Sequence, residues 1–426
     1  MLALAAVAAL LLGYALVSKR LSTTVVSAAM VFLVGGVAIG PEGLGLLDTR
    51  LTSTTVELLA EGTLALVLFS DASRIKLGAL RRDASWPTRL LAVGLPLTIV
   101  AGTVAAIGVF PNLLVAEALV LAVILAPTDA ALGLAVVSDR RLPARLRQAL
   151  NVESGLNDGI CVPLLVIALA WADAESNALT AAESVRVTVE AIGYGVLFGV
   201  IVGAVTAVAL RAALSRGWAG GGWEQVVPLA AAAGAFALAD WAGGSGFIAA
   251  FTGGLVFGAL VRQHEQVGRL LEEVGAITNA LTFVVLGAVL VVPALRDIDL
   301  QVVVYAVVSL TIVRMIPVAL SMWGAGARRR SVAFMGWFGP RGLASLVFLV
   351  SVIDAEGLPH QGTLVSAGVA TVLLSVFAHG MSSVPLTNRY VAWFTRQATA
   401  PPVESVEVHE HRWRGQLGVE HARVVR

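Results

Sequence analysis

The sequence predicts an all-α polytopic membrane protein with about thirteen transmembrane helices, and three observations carry that prediction. Of its 426 residues, 58% are hydrophobic and 13% are charged, with a mean hydropathy of +0.86. The apolar residues fall in successive runs of about 20, the length a helix needs to cross the hydrocarbon of a bilayer. Basic residues collect between the runs, in every second loop, as the positive-inside rule requires of a polytopic chain. No soluble core would accommodate so many apolar runs, so a multi-pass protein of the cell membrane is expected, with the lipid bilayer as its surroundings. The net charge of +1 is spread over loops and forms no basic face; no nucleic-acid partner is expected.

Taken in order, the spans lie near 1–17, 24–39, 54–71, 88–110, 113–138, 146–171, 186–214, 225–242, 246–261, 276–293, 299–324, 331–353 and 361–385. The first run, Leu2 to Val17, is followed rather than preceded by Lys19 and Arg20. That is the reverse of a secretory signal, so it reads as an uncleaved span with the N-terminus outside. Arg74, Lys76, Arg81 and Arg82 follow the third span, and Arg140, Arg141, Arg145 and Arg147 the fifth. Arg211 and Arg216 follow the seventh, Arg262 and Arg269 the ninth, and Arg328 to Arg330 the eleventh. Intervening loops are acidic or neutral, as at Asp173, Glu175 and Glu183 or at Asp354 and Glu356. This alternation puts the C-terminus in the cytoplasm.

Smaller features have plain readings. Cys161 is the only cysteine, which excludes an intramolecular disulfide and a cysteine metal cluster and leaves a small packing residue. Val267, Leu270, Leu271 and Val274 at helical spacing, opposite Arg269, Glu272 and Glu273, predict a short interfacial helix before the tenth span. Asp240 and His379 read as span-end groups. The tail beyond Asn388 is polar, carries Pro401-Pro402 and reads as loosely ordered; its His409-Glu410-His411 lacks a fixed ligand spacing and reads as solvated rather than metal-binding. No cofactor is expected.

Two spans are interrupted at matching places, the fifth at Pro127 and the twelfth at Gly339-Pro340-Arg341-Gly342. Proline removes a backbone donor and clashes with the preceding turn, so both helices should be discontinuous there. Paired breaks in two halves point to inverted repeats with a site at the membrane midplane. Asp129 can compensate exposed N–H ends of half-helices and Arg341 exposed carbonyl ends.

Carboxylates at membrane depth cost a few kcal/mol or more on insertion scales, so they persist mainly where they act. On a helix, Ser154 and Asp158 share one face while Glu153 and Asn157 share the next. A hydroxyl and a carboxylate are hard oxygen ligands, suited to sodium rather than to soft metals. Thr128 and Asp129 across from them could add a carbonyl, a hydroxyl and a second carboxylate. Such a site holds a proton or a cation, and losing one lets the other bind. Alternatives stay open for each residue: Asp129 either ligates an ion or only neutralises helix ends, and Asp71 is either an interfacial charge or a distal ligand. Glu153 reads as structural. Its favoured partner is Arg314, mid-way along the eleventh span, with Arg341 competing.

Pro127-Thr128-Asp129 followed by Glu153-Ser154-Gly155-Leu156-Asn157-Asp158 resembles the signature of the monovalent cation/proton antiporter family. The branch is that of bacterial NhaP-type sodium/proton antiporters and animal sodium/proton exchangers. Ser245 to Phe251 with Gly253-Gly254, Gly339 to Gly342, and Ala378-His379-Gly380 before Pro385 support the resemblance, which covers residues 1 to about 388. It implies a thirteen-helix homodimer, with spans near 1–71 and 225–293 on the dimerisation side. Spans near 88–171 and 299–385 would form a mobile ion-carrying core, 186–214 a linking helix, and 389–426 a short cytoplasmic tail. It further implies Asp158 as the ion and proton carrier and Asn157 as the tie of the unwound region, with Thr128, Ser154, Asp129 and Asp71 around the cation. Asn157, standing where part of the family has a second aspartate, points to electroneutral exchange of one Na+ (or Li+) for one H+. A K+/H+ antiporter of the same fold is the alternative. A passive cation channel would need a continuous pore with repeated lining groups, for which the sequence offers no pattern. The tail is too short for a folded regulatory module.

Overall fold

In this computed structural model the described residues are 2–21, 24–47, 53–75, 85–129, 131–176, 180–261, 267–355, 358–396 and 404. The expectations placed on Lys76, Arg81, Arg82, Arg262, Glu356, Pro401-Pro402 and His409-Glu410-His411 lie outside them.

All regular structure among the described residues is helical. The elements are α1 (Leu2–Leu21), α2 (Ala28–Ile39), α3 (Ser53–Arg74), α4 (Ser85–Val109), α5 (Val115–Ile124), α6 (Leu134–Val137), α7 (Ala144–Glu175) and α8 (Ala181–Ser215). They continue with α9 (Val226–Trp241), α10 (Gly246–Leu260), α11 (Arg269–Arg296), α12 (Leu300–Ser321), α13 (Arg329–Trp337), α14 (Leu343–Asp354) and α15 (Gln361–Thr395). Each expected apolar run coincides with one helix, except the fifth and twelfth, which are the broken pairs α5–α6 and α13–α14. Among the described residues, seven helices are long and apolar enough to cross a membrane: α1, α4, α7, α8, α11, α12 and α15.

The breaks follow from the chain. After Ile124 the backbone leaves the helix, because Pro127 has no amide to donate and the residue before it is pushed out of the helical region. Phe338 to Gly342 does the same around Pro340. The two irregular segments touch at their centres, where the Asp129 amide donates to the Pro340 carbonyl at 2.7 Å. Prolines Pro96 and Pro293 leave milder marks. Each follows a wide π turn, Leu90–Gly94 in α4 and Gly287–Val291 in α11, where the missing donor loosens the ladder without breaking it.

The structure corrects three expectations. The amphipathic stretch around 267–274 is not a separate interfacial helix but the first turns of α11, which runs unbroken to Arg296. No proline stands between the two parts, and Gly275 alone does not stop a helix. His379 is not at a span end: it is buried in the middle of α15, its ring 5.0 Å from that of Trp337. Glu404 in the tail is fully buried. Its Oε1 accepts from the Arg328 amide and the Ser331 hydroxyl, both at 2.9 Å, and Ser331 Oγ lies 2.8 Å from Tyr390 Oη. A carboxylate at the start of α13 meets amides that the helix itself cannot satisfy.

Glycines set how closely the helices approach. Gly195, Gly199 and Gly203 form a stripe on α8 against α10; a Cβ at Gly203 would lie 2.5 Å from the Gly253 carbonyl oxygen. On its other side α10 meets α3 through Gly254 and Gly258, where a Cβ would come within 2.4 Å of the Phe69 carbonyl and 2.0 Å of that of Ser73. Within lipid, such backbone-to-backbone packing replaces the hydrophobic effect as the force between helices. The outward faces remain apolar, as on α1, where Leu2, Leu4, Leu12 and Leu16 are exposed. Trp218, Trp223 and Trp323 stand exposed beyond the C-terminal ends of α8 and α12, and Trp241 (82% exposed) at the end of α9. Helix-end tryptophans of this kind sit at the headgroup level of a bilayer.

The close approach of α3 to α10 can be tested directly. Gly254→Val meets backbone that cannot step aside and should lower stability by about 2–3 kcal/mol. Gly234→Ala, on α9 with nothing within 4 Å of the added carbon, should leave stability unchanged or raise it by up to about 1 kcal/mol. Thermal unfolding of the purified variants in one detergent, run side by side, measures both; equal losses would show that the glycine contact does not set the packing.

Candidate functional site

The site begins with the ends of the broken helices. α5 finishes with carbonyls pointing into the protein, and three hydrogen bonds from two side chains meet them and the carbonyls that follow. Arg341 Nη1 donates to the carbonyls of Ala126 and of Pro127 (2.9 Å for the latter), and Ser345 Oγ donates to that of Ile124 at 2.7 Å. Arg341 is 0% exposed. Among the described residues no carboxylate pairs with it, so its charge is met by the negative end of a half-helix. In the opposite sense, Asp129 Oδ2 accepts from the Leu343 amide that opens α14, at 3.2 Å, and Oδ1 from the Ala131 amide at 2.8 Å. Each break thus supplies the charge that closes the other. Gly342 is required by the closeness of the two: a Cβ there would lie 2.2 Å from Asp129 Oδ2.

Helix α7 closes on this crossing. Ser154 Oγ donates to the Thr128 carbonyl at 2.5 Å and Asn157 Nδ2 to the Thr128 hydroxyl at 2.8 Å, so two side chains of one helix hold one irregular residue. One residue on, Asp158 is 7% exposed. Gly159 beneath it is overlain by Phe251 of α10, whose ring would come within 2.1 Å of a Cβ. This contact accounts for the Ser245–Phe251 segment singled out in the sequence. Asp71, on the last turn of α3, sits beside α7 with its Cβ 3.9 Å from where a Cβ of Gly155 would be.

The structure places Glu153 on Arg314 rather than on Arg341. The pair is bidentate, at 2.5 and 2.8 Å, with both residues 2% exposed. Arg314 in turn lies against the second break, its Nε 2.4 Å from where a Cβ of Gly339 would sit. The ion pair therefore fixes the helix that carries Asp158 against the irregular segment of α13–α14.

Thr128, Asp129 and Ser154 border a void of about 10 Å³, room for about one water, lined also by Val136, Leu150, Phe338 and Pro340. Asp129 also borders a second cavity of about 450 Å³, whose wall includes Ser70 and Arg74 of α3, Glu272 and Asn279 of α11, and Phe32. Asp129 is the residue the two spaces share. Hard oxygen donors around a buried carboxylate, beside a cavity, form an arrangement able to take a small monovalent cation or a proton.

Several residues of this arrangement escape sequence reasoning. Ser375 Oγ accepts from the Arg341 amide at 2.6 Å and lies 3.0 Å from His379 Nδ1. The i, i+4 spacing of the two polar residues within an apolar run was the available signal. Glu117, fully buried near the start of α5, accepts from the amides of Leu114 (3.0 Å) and His360 (2.8 Å), with His360 Nδ1 at 2.8 Å. It holds the start of α5 to that of α15 at the end away from the breaks.

Neither Glu153 nor Arg314 tolerates burial without the other. Glu153→Gln or Arg314→Gln alone should cost about 3–5 kcal/mol, because each leaves an uncompensated buried charge. The double variant should lose clearly less than the sum of the two. Unfolding midpoints of the four proteins, read as a double-mutant cycle, give the coupling. Strict additivity would show that the pair is not what holds α7 in place.

The family model described as the transmembrane sodium/hydrogen exchanger matches residues 6–389. Among characterised relatives, the chain is 26% identical over 359 residues to the Na(+)/H(+) antiporter ApNhaP of Aphanothece halophytica, covering 80% of this chain and 66% of that one. It is 28% identical over 371 residues to the K(+)/H(+) antiporter NhaP2 of Shewanella sp. (strain MR-4), covering 86% and 62%. The chain thus spans slightly less than two thirds of the length of these relatives. Among solved structures, that of the sodium proton antiporter MjNhaP1 from Methanocaldococcus jannaschii at pH 8 superposes with a TM-score of 0.74 over 92% of this chain and 99% of that one, at 20% identity. That likeness shows a shared fold. With the family match running from the first helix to the last, this multi-pass membrane chain belongs to the transmembrane sodium/hydrogen exchanger family.

Proposed function

We propose that the protein is a secondary-active antiporter that exchanges Na+ (or Li+) for H+ by alternating access, with the two ions competing for Asp158. The observation that supports this best is the closure of α7 on the broken helices. Asp158, buried, follows directly on Asn157, and Asn157 and Ser154 both hold the unwound Thr128. In this reading the cation sits against the Asp158 carboxylate. The Thr128 carbonyl and hydroxyl and the Ser154 hydroxyl turn towards it, replacing the Ser154–Thr128 hydrogen bond, while Asp129 and Asp71 supply further negative charge. With Asn157 neutral, only the charge of Asp158 is alternately compensated by a proton or a cation. Carrying it uncompensated through a low-dielectric region costs several kcal/mol, and each 1.4 kcal/mol slows the step tenfold, so the site returns loaded rather than empty. Exchange, one ion for one proton and electroneutral, follows from that penalty.

The mutual capping of α5–α6 and α13–α14, and the clamp of α7 on both, supports reading α4–α7 and α12–α15 as one moving body. It would travel as an elevator against α1–α3 and α9–α11, with α8 as the link and a second copy of the chain completing a homodimer. In the cell membrane such an exchanger would contribute to pH homeostasis. The relatives named as K(+)/H(+) antiporters from Shewanella and Alkalimonas amylolytica favour K+ as the second reading; the oxygen donors accept either ion.

Proton flux driven by sodium, lithium or potassium gradients in proteoliposomes tests the proposal. On the acid side, the apparent KM for the cation should rise about tenfold per unit fall in pH, as the competing proton concentration rises. Asp158→Asn should abolish exchange with little loss of folding, the change being nearly isosteric. Clamping the membrane potential with valinomycin and potassium, using sodium as substrate, should leave the rate unchanged. Wild-type-like exchange by Asp158→Asn, or a KM indifferent to pH, would refute the shared carrier.

The proposed topology has thirteen crossings, the N-terminus outside and the C-terminus in the cytoplasm. In a Cys161→Ser background, Thr180→Cys and Ser215→Cys at the two ends of α8 should react with a membrane-impermeant maleimide from the outside and from the inside respectively. Labelling of both from one side would remove the thirteen-crossing arrangement.

A further inference from the structure

The cavity of about 450 Å³ that Asp129 borders has a cation of its own in its wall. Arg74 closes the last turn of α3, its side chain only 14% exposed. Its Nη2 donates to Ser70 Oγ at 2.7 Å, its Nη1 lies 3.9 Å from Asp71 Oδ1, and its Nε lies 3.2 Å from Glu272 Oε1 on α11. Asp71 faces α7 at Gly155, next to Ser154, whereas Glu272 lines the cavity from α11. The guanidinium therefore stands between an acid beside α7 and an acid on α11. Among the described residues, the other charged groups on the wall are Arg269, paired with Glu273 at 2.8 Å, and Asp129, and Tyr14 of α1 is the remaining titratable one. A cation moving through this cavity to Asp129 passes along the wall that carries Arg74, and like charges repel over a Debye length, about 8 Å at physiological salt.

We propose that Arg74 is a built-in competing cation: it occupies the acids at the mouth of the ion site and sets the apparent affinity for the transported ion. This rests on the antiporter reading and adds to it the residue that tunes affinity. Arg74 is a positioning residue, acting through the field it makes and through its hold on Asp71 and Glu272. Its effect has a definite sign. Removing the positive charge strengthens the pull on every cation, and removing Glu272 leaves Arg74 to Asp71 alone and weakens that pull. A structural rivet between α3 and α11 would behave differently, since either substitution breaks the same bridge.

Arg74→Gln should lower the apparent KM for sodium on the alkaline plateau about threefold to tenfold, and Glu272→Gln should raise it, with maximal rates changed far less. Sodium and protons gain equally from the lost charge, so the Arg74→Gln and wild-type KM values should converge at acid pH. The pH at which KM begins to climb should move up by about 0.5–1 unit. Arg74→Lys should keep the wild-type behaviour. The measurements are exchange in proteoliposomes and, independently of transport, thermal stabilisation of the detergent-solubilised protein by NaCl or KCl, with choline chloride holding ionic strength. Shifts of KM in the same direction for Arg74→Gln and Glu272→Gln, or an unchanged KM with only stability lost, would overturn the proposal while leaving antiport intact. A wild type that exchanges no cation, but whose variants move the stabilising salt concentration in opposite directions, would overturn antiport and leave the role of Arg74 standing. A wild type that neither exchanges nor is stabilised overturns both.

Discussion

Backbone groups that water cannot reach must find partners inside the protein, and in this chain that demand is concentrated where two helices stop half-way. The answer is an exchange of charges between the breaks. Arg341, from the second, closes the carbonyl end of α5, and Asp129, from the first, closes the amide end of α14. Neither break is complete without the other, which is why the irregular segments lie in contact at Pro340 and why Gly342 must be a glycine. The rest of the site depends on that crossing. It presents the Thr128 carbonyl and hydroxyl sideways to α7, where Ser154 and Asn157 take hold of them.

A second constraint is the cost of burying Glu153 and Arg314, which is met by two hydrogen bonds in the most favourable geometry the two side chains have. Ion pairs of this kind seldom add net stability over an apolar core of the same shape; what they provide is register. Arg314 rests on Gly339, so the pair indexes α7 to the second break while Thr128 indexes it to the first. Asp158 is thereby held by both halves of the chain. On the other side, α3, α10 and α8 are fitted together mainly through glycines, and the Ser245 amide before α10 donates to the Ala191 carbonyl of α8 at 2.8 Å. One assembly is locked chiefly by side-chain bonds and the other chiefly by close backbone contact.

Much of this was legible in the sequence, and for physical reasons. Apolar run length and loop charge marked out the helices, because the bilayer imposes a length and a polarity that soluble folds lack. Pro127 and Pro340 marked the breaks, and the charges beside them carried the right signs for the ends they close. Partners distant in sequence were harder. Glu153 and Arg314 stand 161 residues apart, and no local periodicity reports such a contact, so Arg341 competed until coordinates separated them. His379 was misplaced because run length cannot say that α15 continues to Thr395, well beyond what a bilayer requires. The join of the amphipathic stretch to α11 was missed for a related reason: polar residues on one face look like a helix end when the neighbouring wall that receives Glu272 is unknown. Arg74 read as one more cytoplasmic charge, since its role exists only where α3 meets α11.

The burial of Glu404 gives the tail a mechanical meaning. The chain leaves α15 at Thr395 and within nine residues has returned to the start of α13. α13 is thus gripped at both ends, by Glu404 at its first turn and by the crossing of the breaks at its last. A pull applied at Glu404 would be delivered to α13, and through its far end to Arg341 and α5, rather than dissipated at the end of α15. Glu404 is where such a load enters, and its path leads to the middle of the molecule.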